Sequence, residues 1–167
     1  MALTLTDVRG MGNTLKQNNY DLVIPNPPAG GDGDILRLAV ASSAIPGFSS
    51  EIVERAHHGH VIKEAGRGMF PRTLPAEFFE TSELTALTLL KAWHTLQWNN
   101  ETGEQSDTNA YKTDGYIILL DAARKESKKV RFKGLFIEDV ADSPLDGASS
   151  EIVRVSVTFS YDDWDFE

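Results

Sequence analysis

Strict alternation of apolar and polar residues is the strongest pattern in this chain, and it lies near the C-terminal end. Val153, Val155, Val157, Phe159 and Tyr161 are each separated by one polar residue. Successive side chains of a strand point to opposite faces, so this pattern predicts a strand with one buried face. Weaker alternation or short apolar runs predict further strands at residues 20–24, 35–41, 72–80, 116–120 and 129–137.

Two residues are expected to disturb these strands. Pro75 cannot donate a ladder hydrogen bond, so the strand at 72–80 is predicted to lie at a sheet edge or to contain a bulge. Gly134 interrupts the strand at 129–137, and a glycine there predicts a bulge or the close approach of another backbone segment.

One helix is predicted at residues 82–98, with Thr81 or Ser82 as its N-cap. Its apolar residues recur at helical spacing and form one stripe. The predicted helix core consists of Leu89, Leu90, Trp93 and Leu96. Strands before and after a single helix predict a mainly β fold, a sandwich or barrel of antiparallel strands with the helix packed on it.

Two segments are predicted to lie outside the core of a single domain formed by residues 1–167. Residues 1–19 are polar and are expected to form an N-terminal arm. Residues 46–72 contain two short strand candidates joined by a histidine-rich turn, with too few apolar residues for a core hairpin. An extended arm of this kind has exposed strand edges, which proteins usually cover with a partner or protect with charge.

Composition excludes several classes of protein. The chain has 167 residues, a formal net charge of −9 and no cysteine, so disulfides and thiolate metal sites are excluded. An acidic chain does not bind nucleic acid by neutralising phosphates, although it can present a surface that repels DNA. The chain has no apolar run of about 20 residues and its N-terminus lacks signal-peptide features, so no membrane anchor is expected.

The histidines at the predicted turn are the first candidates for chemistry. A metal site needs three or four convergent ligands. Because neighbours on a strand point to opposite faces, His58 and His60 are expected to converge while His57 is not. No recognised ligand pattern accompanies them, so a polar loop tip is the favoured interpretation, and no cofactor or catalytic residue is expected.

A basic run stands out in this acidic chain. It consists of Arg124, Lys125, Lys128, Lys129, Arg131 and Lys133. One interpretation is an ionic contact with the acidic tail of a neighbouring copy, which includes Asp162 and Asp163. The alternative is a solvated surface, since exposed ion pairs contribute only about 0–1 kcal/mol each.

The order of these segments resembles the tail tube proteins of contractile-tailed phages, over about residues 20–167. Ile-Pro-Gly at 45–47 precedes Glu-Ile-Val-Glu at 51–54, much as the family places an apolar residue and a proline before its long arm. Lys-Gly-Leu-Phe at 133–136 is similar to the family's charged strand ending, and the segment 151–164 is similar to its final alternating strand. Trp93 and Trp98 resemble the Trp-rich end of its single helix.

The resemblance implies a structural subunit rather than an enzyme. Such subunits form hexameric rings that stack into a tube inside a contractile sheath, and DNA passes through the lumen. The implied partners are further copies of the chain, the sheath, the baseplate tube initiator, the tail terminator and the tape measure protein. The implied location is the virion tail, after assembly in the host cytoplasm.

The resemblance also suggests roles for particular residues. Ring stacking is expected to use the arm, with Glu54, Arg55, His57, His58, His60 and Lys63. Ionic contacts between subunits or toward the sheath are expected at Arg124, Lys125, Lys128, Lys129, Asp162 and Asp163. Two alternatives stay open: the tube of a type VI secretion or bacteriocin-like system, and a small β-barrel metal- or ligand-binding protein or enzyme that uses residues 57–60.

Overall fold

A computed structural model describes residues 15–167. The predicted N-terminal arm, residues 1–19, falls mostly outside this part of the chain. The strands are β1 (Tyr20–Val23), β2 (Val40–Ser43), β3 (Ser49–His57), β4 (His60–Met69), β5 (Thr73–Phe79), β6 (Thr113–Leu120), β7 (Glu126–Val140), β8 (Arg154–Ser160) and β9 (Asp163–Phe166). The helices are α1 (Gly33–Ala39), α2 (Thr85–Gln97) and α3 (Thr108–Tyr111).

The main sheet is antiparallel and has the strand order β1-β6-β7-β8-β5-β2, with β9 paired to β7. The predicted mainly β fold class is therefore confirmed. Strand β7 is 15 residues long and belongs to both halves of the sheet, because it pairs with β6 and β9 near its start and with β8 near its end. In the described part of the chain β1 and β2 do not pair with each other, so the sheet remains open.

Gly134 lies where β7 passes from one half of the sheet to the other. Its φ of 66° is in the left-handed region that favours glycine. The predicted bulge is found, because the pairing of β7 with β6 shifts by one residue between Thr113–Leu135 and Gly115–Phe132, on either side of Gly134. The group that lies closest to Gly134 is the carboxylate of Asp162, not a backbone segment.

The core lies between the inner face of the sheet and α2. Trp93 is fully buried, its ring centroid lies 5.7 Å from that of Phe159, and its indole Nε1–H donates to the carbonyl of Tyr111 at 2.7 Å. Leu89 and Leu90 are also buried, whereas Leu96 is partly exposed. None of the helices in residues 15–167 has the length and apolar character to span a membrane.

The prediction of a strand at residues 35–41 is wrong, because most of this segment forms α1. The Asp32 carboxylate accepts a hydrogen bond from the Asp34 amide at 3.0 Å and so caps the helix. Leu36 is buried, while Leu38 is 85% exposed. Residues with high helix propensity and a capping aspartate outweighed the partial alternation.

Two further expectations about local structure need correction. Strand β5 is not an edge strand, because it lies between β8 and β2. Strand β2 pairs with β5 only as far as Ala76, so Pro75, which has no amide hydrogen to donate, lies just outside that pairing. Helix α2 begins at Thr85 rather than at residue 82. Of the two predicted caps, Thr81 reaches the helix, because its hydroxyl accepts from the Thr85 amide at 3.5 Å. The Glu80 carboxylate, which was not predicted, accepts from the amides of Ala86 and Leu87 at 3.2 and 2.8 Å.

Candidate assembly interface

The hairpin formed by β3 and β4 is a separate two-stranded sheet that extends from the rest of the subunit. Every residue of both strands is exposed. Each strand spans about 30 Å at 3.3 Å per residue. A lone two-stranded hairpin is marginally stable in water, so this element is suited to binding a partner. We refer to residues 46–72, which include the hairpin and its flanks, as the arm.

A two-residue turn closes the tip of the arm. His58 and Gly59 both have positive φ, 47° and 79°, as a type I′ turn requires. His57 and His60 are paired directly across the strands, so the expectation that His58 rather than His57 would converge with His60 is wrong. Within residues 15–167 no three histidine or acidic side chains are grouped closely enough to hold a metal ion.

Four of the seven charged residues of the arm are paired within the arm itself. Glu54 and Lys63 face each other across the strands at 3.2 Å. On the opposite face, Arg55 forms an ion pair with Glu64. Both pairs are solvent-exposed, so they contribute little to stability. They also neutralise four charges of the arm, which are then not available for ion pairs with a partner.

Apolar side chains of the arm have no such partners. Ile52 and Val61 lie on one face and are 62% and 59% exposed, while Val53 and Ile62 lie on the other face and are each 49% exposed. Apolar surface on both sides of a projecting hairpin is typical of a segment that becomes buried in an assembly.

The open ends of the main sheet are a second candidate contact. Strand β1 pairs only with β6 and β2 only with β5 within the described residues, so each has one edge with unpaired backbone groups. Both strands have only four residues. Free edges readily pair with another strand, and short length is one way that proteins restrain this tendency.

The acidic tail lies on the basic strand of its own chain. Strand β9 pairs with residues 130–133 of β7, and Lys133 forms an ion pair with Asp165 that raises the pKa of the lysine. Arg131 contacts Glu167 at 3.4 Å and Asp114 at 2.6 Å. The hydrogen bond from Arg131 lowers the pKa of Asp114 below its ordinary value, against the opposing effect of burial.

The residues predicted for ionic contacts between subunits fall into two groups. Asp162 accepts from Lys112 at 2.8 Å, Asp163 lies 3.9 Å from Lys133, and Lys129 lies 3.1 Å from Glu126, so these three charges have partners in their own chain. Arg124, Lys125 and Lys128 are exposed, and Lys128 lies 5.9 Å from the ring centroid of Phe166.

Sequence reasoning missed two carboxylates that organise this region. Asp114 links Arg131 to the Gly134 amide, which donates to it at 3.3 Å, and Glu80 caps α2. The position of Glu80 shortly before a predicted helix was a usable signal. The role of Asp114 depends on the pairing of β6 with β7, which no local pattern specifies.

The fold is similar to that of solved chains from a sheath–tube complex, a tube-terminating cap and a particle tail. The chain has a TM-score of 0.66 and 15% identity to a chain of an extracellular contractile injection system sheath–tube complex, with 99% of each chain covered. A chain of the anti-feeding prophage tube-terminating cap gives 0.67 and 14%, covering 93% of this chain and 92% of that one. A tail chain of a GTA particle with C6 symmetry gives 0.52 and 13%, covering 92% and 99%.

The sequence profile of the phage tail tube protein family matches residues 11–167. No curated protein matches the chain by sequence. Because the family match spans nearly the whole chain, this protein belongs to the phage tail tube protein family. The predicted family resemblance is thereby confirmed, and the chain is a structural protein rather than an enzyme.

Proposed function

We propose that this protein forms hexameric rings that stack into a tube, that DNA passes through the lumen, and that a contractile sheath surrounds the tube. The observation that carries the proposal is the arm, a hairpin exposed along its whole length with apolar side chains on both faces. Its surface has no partner in the described part of the subunit, and a second ring supplies one.

Ring closure is supported by the two open edges of the main sheet. Strands β1 and β2 are at opposite ends of the strand order, and they contact each other in the subunit without pairing. Each keeps one edge of unpaired backbone groups, which a neighbouring copy can pair with. Such a heterologous contact generates a closed ring when the rotation between copies divides a full turn. The C6 symmetry of the GTA tail, whose chain shares this fold, favours six copies.

DNA conduction is supported by the charge of the chain. At −9, the subunit is acidic, and a ring repeats this charge around its axis. Proteins retain DNA chiefly through cations that neutralise phosphates, so an acidic wall lets a polyanion move without binding.

The other proposed partners follow from the tube itself. The similar folds in a sheath–tube complex and in a tube-terminating cap support contacts with a sheath and a terminator. A baseplate tube initiator and a tape measure protein complete the proposed set, and the proposed location is the tail of the particle, assembled in the host cytoplasm. The fold likeness to an extracellular contractile injection system also favours a second candidate, the tube of an injection system rather than of a phage tail.

Shortening the arm tests the proposal. Replacing residues 54–63 with Asn-Gly keeps the Val53–Glu64 pair and closes it with a favourable type I′ turn. Because every removed side chain is exposed, the subunit should keep its melting temperature. Negative-stain microscopy should show rings but no tubes, whereas wild-type protein forms both. Tubes of normal length and stability from the shortened protein would contradict the role of the arm.

A further inference from the structure

An exposed apolar surface lies at the opposite end of β5 from the arm. Leu145 is 82% exposed, Ile152 66% and Phe79 38%. These three residues line one groove between the end of β5 and the loop that joins β7 to β8. We call this surface, formed by Phe79 and residues 142–152, the distal patch.

The arm and the distal patch are attached to the two ends of the same strand. Strand β4 ends at Met69 and the arm ends at Arg72, immediately before Thr73 begins β5. Phe79 ends β5, and the next residue, Glu80, donates its amide to the carbonyl of Val153 at 3.0 Å. The two attachment points are therefore about 20 Å apart, at 3.3 Å per residue.

The charges of the two surfaces are complementary. The loop at residues 141–153 contains Asp142, Asp146 and Glu151 and no basic residue, which gives it a charge of −3. Arg154 also lines the groove, but its charge is paired with Glu77 at 3.5 Å. The arm has four basic and three acidic residues, so it is net positive in a chain whose total charge is −9. Of its basic residues, Arg67 and Arg72 form no ion pair with any residue of 15–167.

We propose that the distal patch is the surface that receives the arm of a subunit in the adjacent ring. This inference rests on the proposed function, and it names the contact through which rings would stack. Exposed apolar side chains on the arm meet those of the patch, and the unpaired arginines of the arm meet the acidic loop. The contact joins two different surfaces of one chain, so it repeats head to tail without limit, as tube growth requires.

Cysteine cross-linking tests the contact directly, because the wild-type chain has no cysteine. One variant carries Val61→Cys near the tip of the arm, and a second, mass-tagged variant carries Leu145→Cys in the patch. The two are mixed, assembled into tubes and oxidised. A disulfide needs Cα atoms within about 7 Å, so only neighbouring residues can be linked. Leu38→Cys replaces Leu145→Cys as the control, because Leu38 is 85% exposed on α1.

We expect a tagged heterodimer with Leu145→Cys and none with Leu38→Cys. Normal tubes that give no heterodimer, or an equal yield with the control, would overturn the inference and leave the proposed function intact. Failure of wild-type protein to form rings and tubes would overturn both.

A substitution gives an independent readout. Leu145→Asp combined with Ile152→Asp should leave the melting temperature unchanged and abolish tubes, while Leu38→Asp leaves tubes unchanged. If the patch instead binds the sheath, the double variant forms tubes of normal length and loses only sheath binding, which would also contradict the inference.

Discussion

The carboxylate of Asp162 occupies the space that a side chain at Gly134 would need. A Cβ atom built on Gly134 collides with this carboxylate, and the φ of 66° is itself unfavourable for other residues. The same carboxylate binds Lys112, with both oxygens 2.8 Å from the ammonium nitrogen. Gly134 therefore allows β8 and β9 to follow β7 in one register, with Ser160 opposite Phe136 and Asp163 opposite Lys133.

Gly134→Ala should consequently destabilise the subunit. The left-handed backbone alone costs roughly 1–2 kcal/mol for a residue with a Cβ, and displacement of Asp162 adds to this. Gly147→Ala is the matched control, since nothing lies within 4 Å of the added methyl group and its φ is not positive. Urea unfolding of both variants measures the difference, and equal free energies of unfolding would show that the Gly134 site carries no strain.

Leu90 and Leu96 provide a graded test of the helix core. Leu90 is fully buried, so Leu90→Ala should cost about 2–5 kcal/mol of unfolding free energy. Leu96 is only partly buried, and Leu96→Ala should cost about 1 kcal/mol. The prediction fails if the two variants have the same midpoint of denaturation.

Glu80 should contribute to the stability of α2 through its hydrogen bonds to the amides of Ala86 and Leu87. Removing a side-chain cap typically costs about 1 kcal/mol, so Glu80→Ala should lower the melting temperature by a few degrees. Glu83→Ala is the control, because Glu83 is exposed and caps nothing. A larger effect at Glu83 would contradict this account of the helix start.

Much of the β framework could be predicted from the sequence, for a definite physical reason. Val155, Val157 and Phe159 alternate because β8 has one buried face, and the stripe containing Leu89, Leu90 and Trp93 follows from the helical period. The helix within residues 35–41 was not predicted, because a short helix with one buried leucine shows no clear period of apolar residues. The pairing of Asp114 with Arg131 depends on strand register, which involves residues 17 positions apart.

The candidate interface was less predictable than the fold. The low apolar content of the arm indicated an exposed hairpin. Which histidines are paired depends on the position of the turn, and the structure places that turn at His58 and Gly59. Opposite charges on the basic run and the tail predicted an ionic contact. Charge alone does not specify whether the two segments belong to one chain, and in the subunit Asp165 is paired with Lys133 of the same chain.

The ion pair between Asp114 and Arg131 predicts a specific dependence of stability on pH. The folded pKa of Asp114 lies below its ordinary value of 3.8, so the contribution of the ion pair to stability is present above pH 3.8 and is lost as the pH falls through the folded pKa. Asp114→Asn should therefore lower the melting temperature near neutral pH. The difference from wild type should shrink as the pH falls below about 3.8. A difference that is the same at pH 3 and pH 7 would contradict the role of the carboxylate charge.

The central claim is that identical copies complete one another's open sheet edges and exposed arms around a pore. Negative-stain microscopy of the concentrated, purified protein, alone and with its tail initiator, tests this most directly. We expect six-fold rings with a central hole and stacked tubes. Well-folded protein that remains monomeric under both conditions would contradict it.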